Sequence, residues 1–186
     1  KILIDQKNNN YGKVVYNISL GNQYYLDSIK SNIESKVLDS IFNKNKTYSF
    51  LKKNNPFNTL DFESERNRLN KLFKNSGIYN FQINSISFEL KMDTTNIDLS
   101  IPVTINILDN KLKNNLSNDD LKYRLHHIKK INIYTNGIKK LKNDGLINFI
   151  SYDGINIYSS ESLRYKPENL AKLILIKKDS LYSDLI

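Results

Sequence analysis

Tyr24-Tyr25-Leu26-Asp27-Ser28-Ile29-Lys30 is the stretch on which the fold turns, because its pattern returns 99 residues later. Tyr24, Leu26, Ile29 and Lys30 spell Y-x-L-x-x-I-K, and Tyr123, Leu125, Ile128 and Lys129 spell it again. A second pair of segments follows in the same order. Lys52-Lys53-Asn54-Asn55-Pro56-Phe57-Asn58 sets two lysines, two turn formers, a variable residue, an aromatic and a small polar residue in a row. Lys177-Lys178-Asp179-Ser180-Leu181-Tyr182-Ser183 has the same layout 125 residues on, so the second copy is expected to carry an insertion of 26 residues. Two ordered matches imply tandem copies of one small structural unit.

Outward from the first copy, Tyr24, Leu26 and Ile29 read as a short strand. Ile33, Val37 and Ile41, with Leu38 and Phe42, recur at helical spacing up to Asn43-Lys44. Asn54-Asn55-Pro56 stops any continuation. The next helix is capped at Thr59 or Asp61, buries Phe62, Leu69, Leu72 and Phe73, and ends at Gly77 in a left-handed conformation. Alternating runs over 86–92 and 97–107 predict two strands with one buried and one wet face. Pro102 sits inside the second of these and cannot donate a ladder bond, so that strand is either at an edge there or beside a short neighbour. Residues 23–108 thus read β-α-α-β-β.

The flanks are expected to be parts of further units. Residues 1–20 read as a hairpin, with Ile2 and Ile4 against Val14, Tyr16 and Ile18, the end of a preceding module. Residues 110–120 read as a linker. Asp153-Gly154 between apolar runs marks an inserted hairpin at about 141–160. Pro167 opens a helix that buries Leu170, Leu173 and Ile174, and Asp184 is expected to start another. The expected division is therefore 1–20 as a partial module, 21–110 as a complete one and 121–186 as a following partial one. The fold class is α+β, each module a small mixed sheet covered on one face by two helices.

Composition removes several functions. With no cysteine there is no disulfide, thiolate metal site or cysteine nucleophile. No apolar run approaches the roughly 20 residues of a membrane-spanning helix. His126-His127 is the one histidine pair, and neighbours on a strand face opposite sides, so they do not share a metal. Glu63 and Glu65 diverge on a helix and make no catalytic pair. No nucleophile elbow or phosphate loop occurs, and six glycines leave little for a phosphate cradle. The expectation is a non-enzyme with no cofactor and no metal. Net charge is +9, from 28 Lys+Arg against 19 Asp+Glu, and lysine interleaves with 12 tyrosines. That pattern suits base stacking beside phosphate contacts, but tyrosines straddling small cores account for it as well.

The β-α-α-β-β order, the helix motif Glu65-Arg66-x-Arg68-Leu69, the exit Asn75-Ser76-Gly77-Ile78-Tyr79-Asn80-Phe81 and the tandem repeat resemble polypeptide-transport-associated (POTRA) domains of the BamA/TamA family of outer-membrane assembly proteins. The match leans to the TamA-like (TamL) branch, which Tyr152-Asp153-Gly154 and Arg164-Tyr165-Lys166-Pro167 also resemble. Two departures concern turns: Asn54/Asn55 and Asp179/Ser180 stand where the family has glycine, and both types tolerate left-handed geometry. The resemblance implies a periplasmic arm on the inner side of the outer membrane, joined to a C-terminal β-barrel in the full-length protein. It implies unfolded or partly folded outer-membrane clients and a periplasmic accessory protein as partners, with no nucleic acid. Glu65, Arg66, Arg68, Gly77 and Tyr79 are its structural motif. Client binding by β-augmentation is expected on the edge strand 83–91, through Ile83, Ser85, Ser87, Glu89 and Lys91. The alternatives are a basic nucleic-acid-binding module and a structural spacer.

Overall fold

The computed structural model describes residues 16–91, 99–109, 123–135, 148–160 and 162–185. Among these residues stand two three-stranded mixed sheets and three α-helices, an α+β fold.

The first unit runs β1 (Tyr25–Ile33), α1 (Lys36–Asn45), α2 (Thr59–Asn75), β2 (Ile86–Leu90) and β3 (Ser100–Ile107). β3 lies in the centre, parallel to β1 and antiparallel to β2. A parallel pair needs a long crossover, and the two helices supply it. β3 alternates buried Ile101, Val103, Ile105 and Ile107 with half-buried Ser100, Pro102, Thr104 and Asn106. Leu38 and Phe42 of α1, and Phe62, Leu69 and Phe73 of α2, close over its apolar face. Each such side chain taken fully from water contributes about 2 kcal/mol, so this cluster holds the unit together.

Local chemistry moves the element ends. β1 continues to Ile33, four residues beyond the expected strand, because its second half pairs with β3 through Ile29↔Val103 to Ile33↔Ile107. α1 then starts after Ser35, whose side chain accepts from the Leu38 N–H. α2 is capped by Asn58, not by Thr59 or Asp61, through the Leu60 N–H at 3.0 Å. Gly77 ends α2 with φ +96, as the glycine placement requires.

Pro102 is accommodated by a short neighbour. It stands opposite Lys91, just past the end of β2, and on its other side β1 shifts register between Leu26 and Ile29. That bulge puts Leu26 and Ile29, three residues apart, both on the core side.

The second unit has β4 (Ile131–Tyr134), β5 (Asn148–Tyr152), β6 (Ile155–Ser159) and α3 (Pro167–Lys172). β6 is central, parallel to β4 and antiparallel to β5. The hairpin turns at Asp153 and Gly154 with φ 48 and 76, the two positive values of a tight two-residue turn. The hairpin read as an insertion therefore occupies the place in its sheet that β2 and β3 occupy in theirs. Its core is smaller, with Ile131, Ile155 and Ile157 buried.

The repeat is real at the turns and slipped at the strands. Leu26 exchanges bonds with Asn54 and Asn55, and Phe57 N–H reaches Tyr24 C=O. Ile128 does the same with Asp179 and Ser180, and Tyr182 N–H reaches His126 C=O. Asn54 and Asp179 both take positive φ, 66 and 63. Leu26 thus corresponds to Ile128, not Leu125, which moves the offset from 99 to 102 residues. The cause is visible in the sequence: Leu125, Ile128 and Ile131 recur every three positions, so a three-residue slip keeps the apolar match.

Other expectations end differently. Tyr123, expected to open the second module, is buried in the first core at 2% exposure. Tyr16 and Ile18 lie in no strand and are exposed, so the described part of the 1–20 hairpin is absent. Ile2, Ile4, Val14 and the linker at 110–120 lie outside the described residues. Leu173 is 76% exposed rather than part of a helix stripe, and Asp184 starts no helix among the described residues.

Candidate functional site

β2 is a terminal strand of its sheet. Leu108 N–H donates to Ser85 C=O at 3.1 Å, and Lys91 N–H to Pro102 C=O at 3.2 Å. Antiparallel ladders alternate bonded and non-bonded pairs. With Ser87 opposite Asn106 and Glu89 opposite Thr104, the backbone groups of Ser85, Ser87, Glu89 and Lys91 point at β3. Those of Phe88 and Leu90 point away from it, along the open edge, whereas the Ile86 N–H closes the preceding turn onto Ile83 C=O. The phase expected from the sequence is therefore inverted, and the outward set was missed. Side-chain alternation locates the faces of a strand but not which of its amides meet a neighbour.

Ile83 and Ser85 also change role. They sit in a 3-10 turn (Ile83–Ser85) before the strand. Ser85 Oγ lies 2.7 Å from the Tyr123 hydroxyl. Ser87, Glu89 and Lys91 are exposed on the wet side. Beside the edge, Phe62, Glu63, Arg66 and Asn67 of α2 line a groove with Ile83 and Asn84. Arg66 lies over the Phe88 ring at 5.4 Å, and Phe62 meets that ring edge-on at 5.2 Å. Arg66 is thus a groove residue and no partner of Glu65.

Glu65 and Arg68 form a buried ion pair. Glu65 is 0% exposed, and its carboxylate accepts from Arg68 Nη2 at 2.7 Å, Arg68 Nε at 2.9 Å and the Phe50 N–H at 3.0 Å. Arg68 also donates to Asn45 C=O. The pair fastens α2 to the chain leaving α1, which holds the groove wall in place.

Gly77 and Tyr79 belong to a junction between the two units. Gly77 C=O accepts from the His126 N–H at 2.8 Å. The Tyr79 ring meets His126 edge-on at 4.5 Å and lies 5.9 Å from Tyr182. Asn75 Oδ1 accepts from the Asp184 N–H and the Ser183 hydroxyl, and Lys74 pairs with Asp184 at 3.6 Å. The Tyr182 hydroxyl donates to Asp184, which raises the Tyr182 pKa above its ordinary value. The histidines divide: His126 is at the junction, and exposed His127 bridges Leu181. Among the described residues no cluster of three acidic or histidine side chains gathers as metal ligands.

A methyl group at Gly77 would stand 3.0 Å from Leu181 Cδ2 and 3.2 Å from Leu125 Cδ2, at a backbone φ of +96. Gly77→Ala is therefore expected to cost about 1–3 kcal/mol, and to broaden or shift the amide resonances of His126 and Tyr182. An unchanged urea midpoint with unchanged junction spectra would contradict this packing.

Compared with known proteins, the chain matches no protein-family model and no curated protein.

Proposed function

We propose that this chain is a non-enzymatic arm of an outer-membrane protein assembly factor, on the periplasmic side of the membrane. It holds extended client or partner polypeptides by strand addition, in support of a C-terminal β-barrel. The observation that carries this reading is the open border of β2, where Phe88 and Leu90 turn their N–H and C=O groups away from β3 beside the Phe62–Arg66 groove. An extended chain docks there through its backbone, so many client sequences are accepted. Glu89 and Lys91 flank the border with charge, which discourages unselective pairing between copies. The resemblance to POTRA modules supplies the compartment and the partner class.

The test is backbone amide exchange on the full chain, with and without an extended peptide copied from an outer-membrane barrel strand. Exchange at Phe88 and Leu90 is expected to slow about tenfold or more at saturation. Unchanged exchange at both amides sinks the reading.

A nucleic-acid reading has one observation of its own. Tyr134, Tyr158 and Phe149 form a ring ladder on the outer face of the second sheet, with Tyr134 and Tyr158 stacked at 5.1 Å. It requires single-stranded RNA affinity that falls linearly on a log–log plot against salt. No binding at low salt removes it.

A further inference from the structure

β1, the other border of the first sheet, carries an acceptor site of its own. β1 is terminal in the order β1-β3-β2. Its first part is already covered: Leu26 N–H donates to Asn55 C=O, and Asn54 N–H to Leu26 C=O. Beyond the bulge the border is uncovered among the described residues. Glu34 N–H donates to Ile107 C=O at 3.1 Å, which fixes the phase of the parallel ladder. Lys30 and Asn32 then bond toward β3, and Ile29, Ser31 and Ile33 direct their N–H and C=O groups outward.

A groove runs beside these outward groups, between β1 and the end of α1. Its floor is apolar and belongs to the core: Phe42, Leu51 and Ile105. Lys30 and Lys46 border it, and none of its lining residues is acidic. The second unit also has a groove, beside Ile131, though Asp153 adds an acidic group to its lining. There Ile174 and Ile176 stand 125 residues after Ser49 and Leu51, bordered by Lys172, Lys177 and Lys178.

We propose that the β1 border binds an extended polypeptide segment in which apolar and acidic residues alternate. The alternation follows from the two faces of the sheet. A strand added beside β1 sends every second side chain toward the α1 side, onto Phe42 and Leu51, where an apolar group is the fit. The residues between face the wet side, beside the Lys30 side chain, where a carboxylate makes a cross-strand pair. The proposal extends the strand-addition reading of β2 to a second border with a defined ligand chemistry, so one arm grips two segments on opposite sides of one sheet.

The experiment follows amide exchange residue by residue on the full chain with two blocked peptides of equal length, one alternating valine and glutamate, the other valine and lysine. The glutamate peptide is expected to slow exchange at Ile29, Ser31 and Ile33, and the lysine peptide to leave them unchanged. Ser31→Pro removes one outward donor and spares the bonds to β3, so it is expected to abolish this protection. Lys30→Glu, a wet-face change that does not touch the core, is expected to weaken binding of the glutamate peptide several-fold should Ser31→Pro fail to fold. Protection confined to Phe88 and Leu90 overturns this proposal and leaves the β2 reading standing. Protection at neither border overturns both. Equal protection by the two peptides overturns the assigned ligand chemistry.

Discussion

Arg68→Ala is expected to lower the stability of the first unit by about 3–5 kcal/mol, a large part of the roughly 5–15 kcal/mol that a domain has. Removing the guanidinium leaves Glu65, 0% exposed, with the Phe50 N–H at 3.0 Å as its remaining donor. An unpaired carboxylate in that position keeps its desolvation penalty and loses the two bonds that offset it. The same change frees Asn45 C=O and leaves the Phe50 bond as the remaining hydrogen bond of the pair's tie between α2 and the chain after α1. Arg68→Lys is expected to recover only part of the loss, since an ammonium does not reproduce the two-pronged contact. Glu65→Gln keeps an acceptor for the Phe50 N–H and is expected to be milder than Arg68→Ala. Urea unfolding of the single variants and of the double variant isolates the coupling between the two side chains. A coupling near zero would show that the pair does not act as a unit.

Tyr123→Ala is the second large effect, with an expected loss of about 3–5 kcal/mol, the range for emptying an aromatic site in a core. Tyr123 packs its ring 5.0 Å from Phe81, which in turn lies 4.7 Å from Phe73. Its hydroxyl reaches Ser85 Oγ at 2.7 Å and accepts from the Gln82 N–H at 3.3 Å. Tyr123→Phe keeps the ring and strands those polar groups, for an expected loss of about 1 kcal/mol. The decisive reading is where the loss appears. Amide exchange should accelerate in β2 and β3, because Tyr123 belongs to the core beneath them. Acceleration confined to β4 and β6 would instead make Tyr123 part of the second unit, as the repeat in the sequence suggests.

The repeat was legible because turns are local. Asn54 and Asp179 announce a left-handed residue by type, and Asp153-Gly154 announces a hairpin, with no need of distant partners. The long alternation of β3 and the stripe of α2 likewise identify their elements. The candidate site was legible as a strand but not as a border. Ile83, Ser85, Ser87, Glu89 and Lys91 share the parity of the alternation, yet the backbone groups turned to the open border belong to Phe88 and Leu90. That phase depends on where β3 lands, which Leu108 and Pro102 settle from more than ten residues away in the chain. Arg66 escaped for the same reason. It was legible only as part of a helix motif, whereas its contact, Phe88, comes from another element.

The sequence by itself determined the composition of the elements, the α+β class, the buried stripes and the turns, since these follow from propensities and periods acting within a few residues. The tertiary structure alone decided which strands are central, the three-residue slip between the copies, the transfer of Tyr123 to the preceding core and the direction of every border amide. Each of those is a choice among pairings of nearly equal local energy, and only packing against a distant segment separates them.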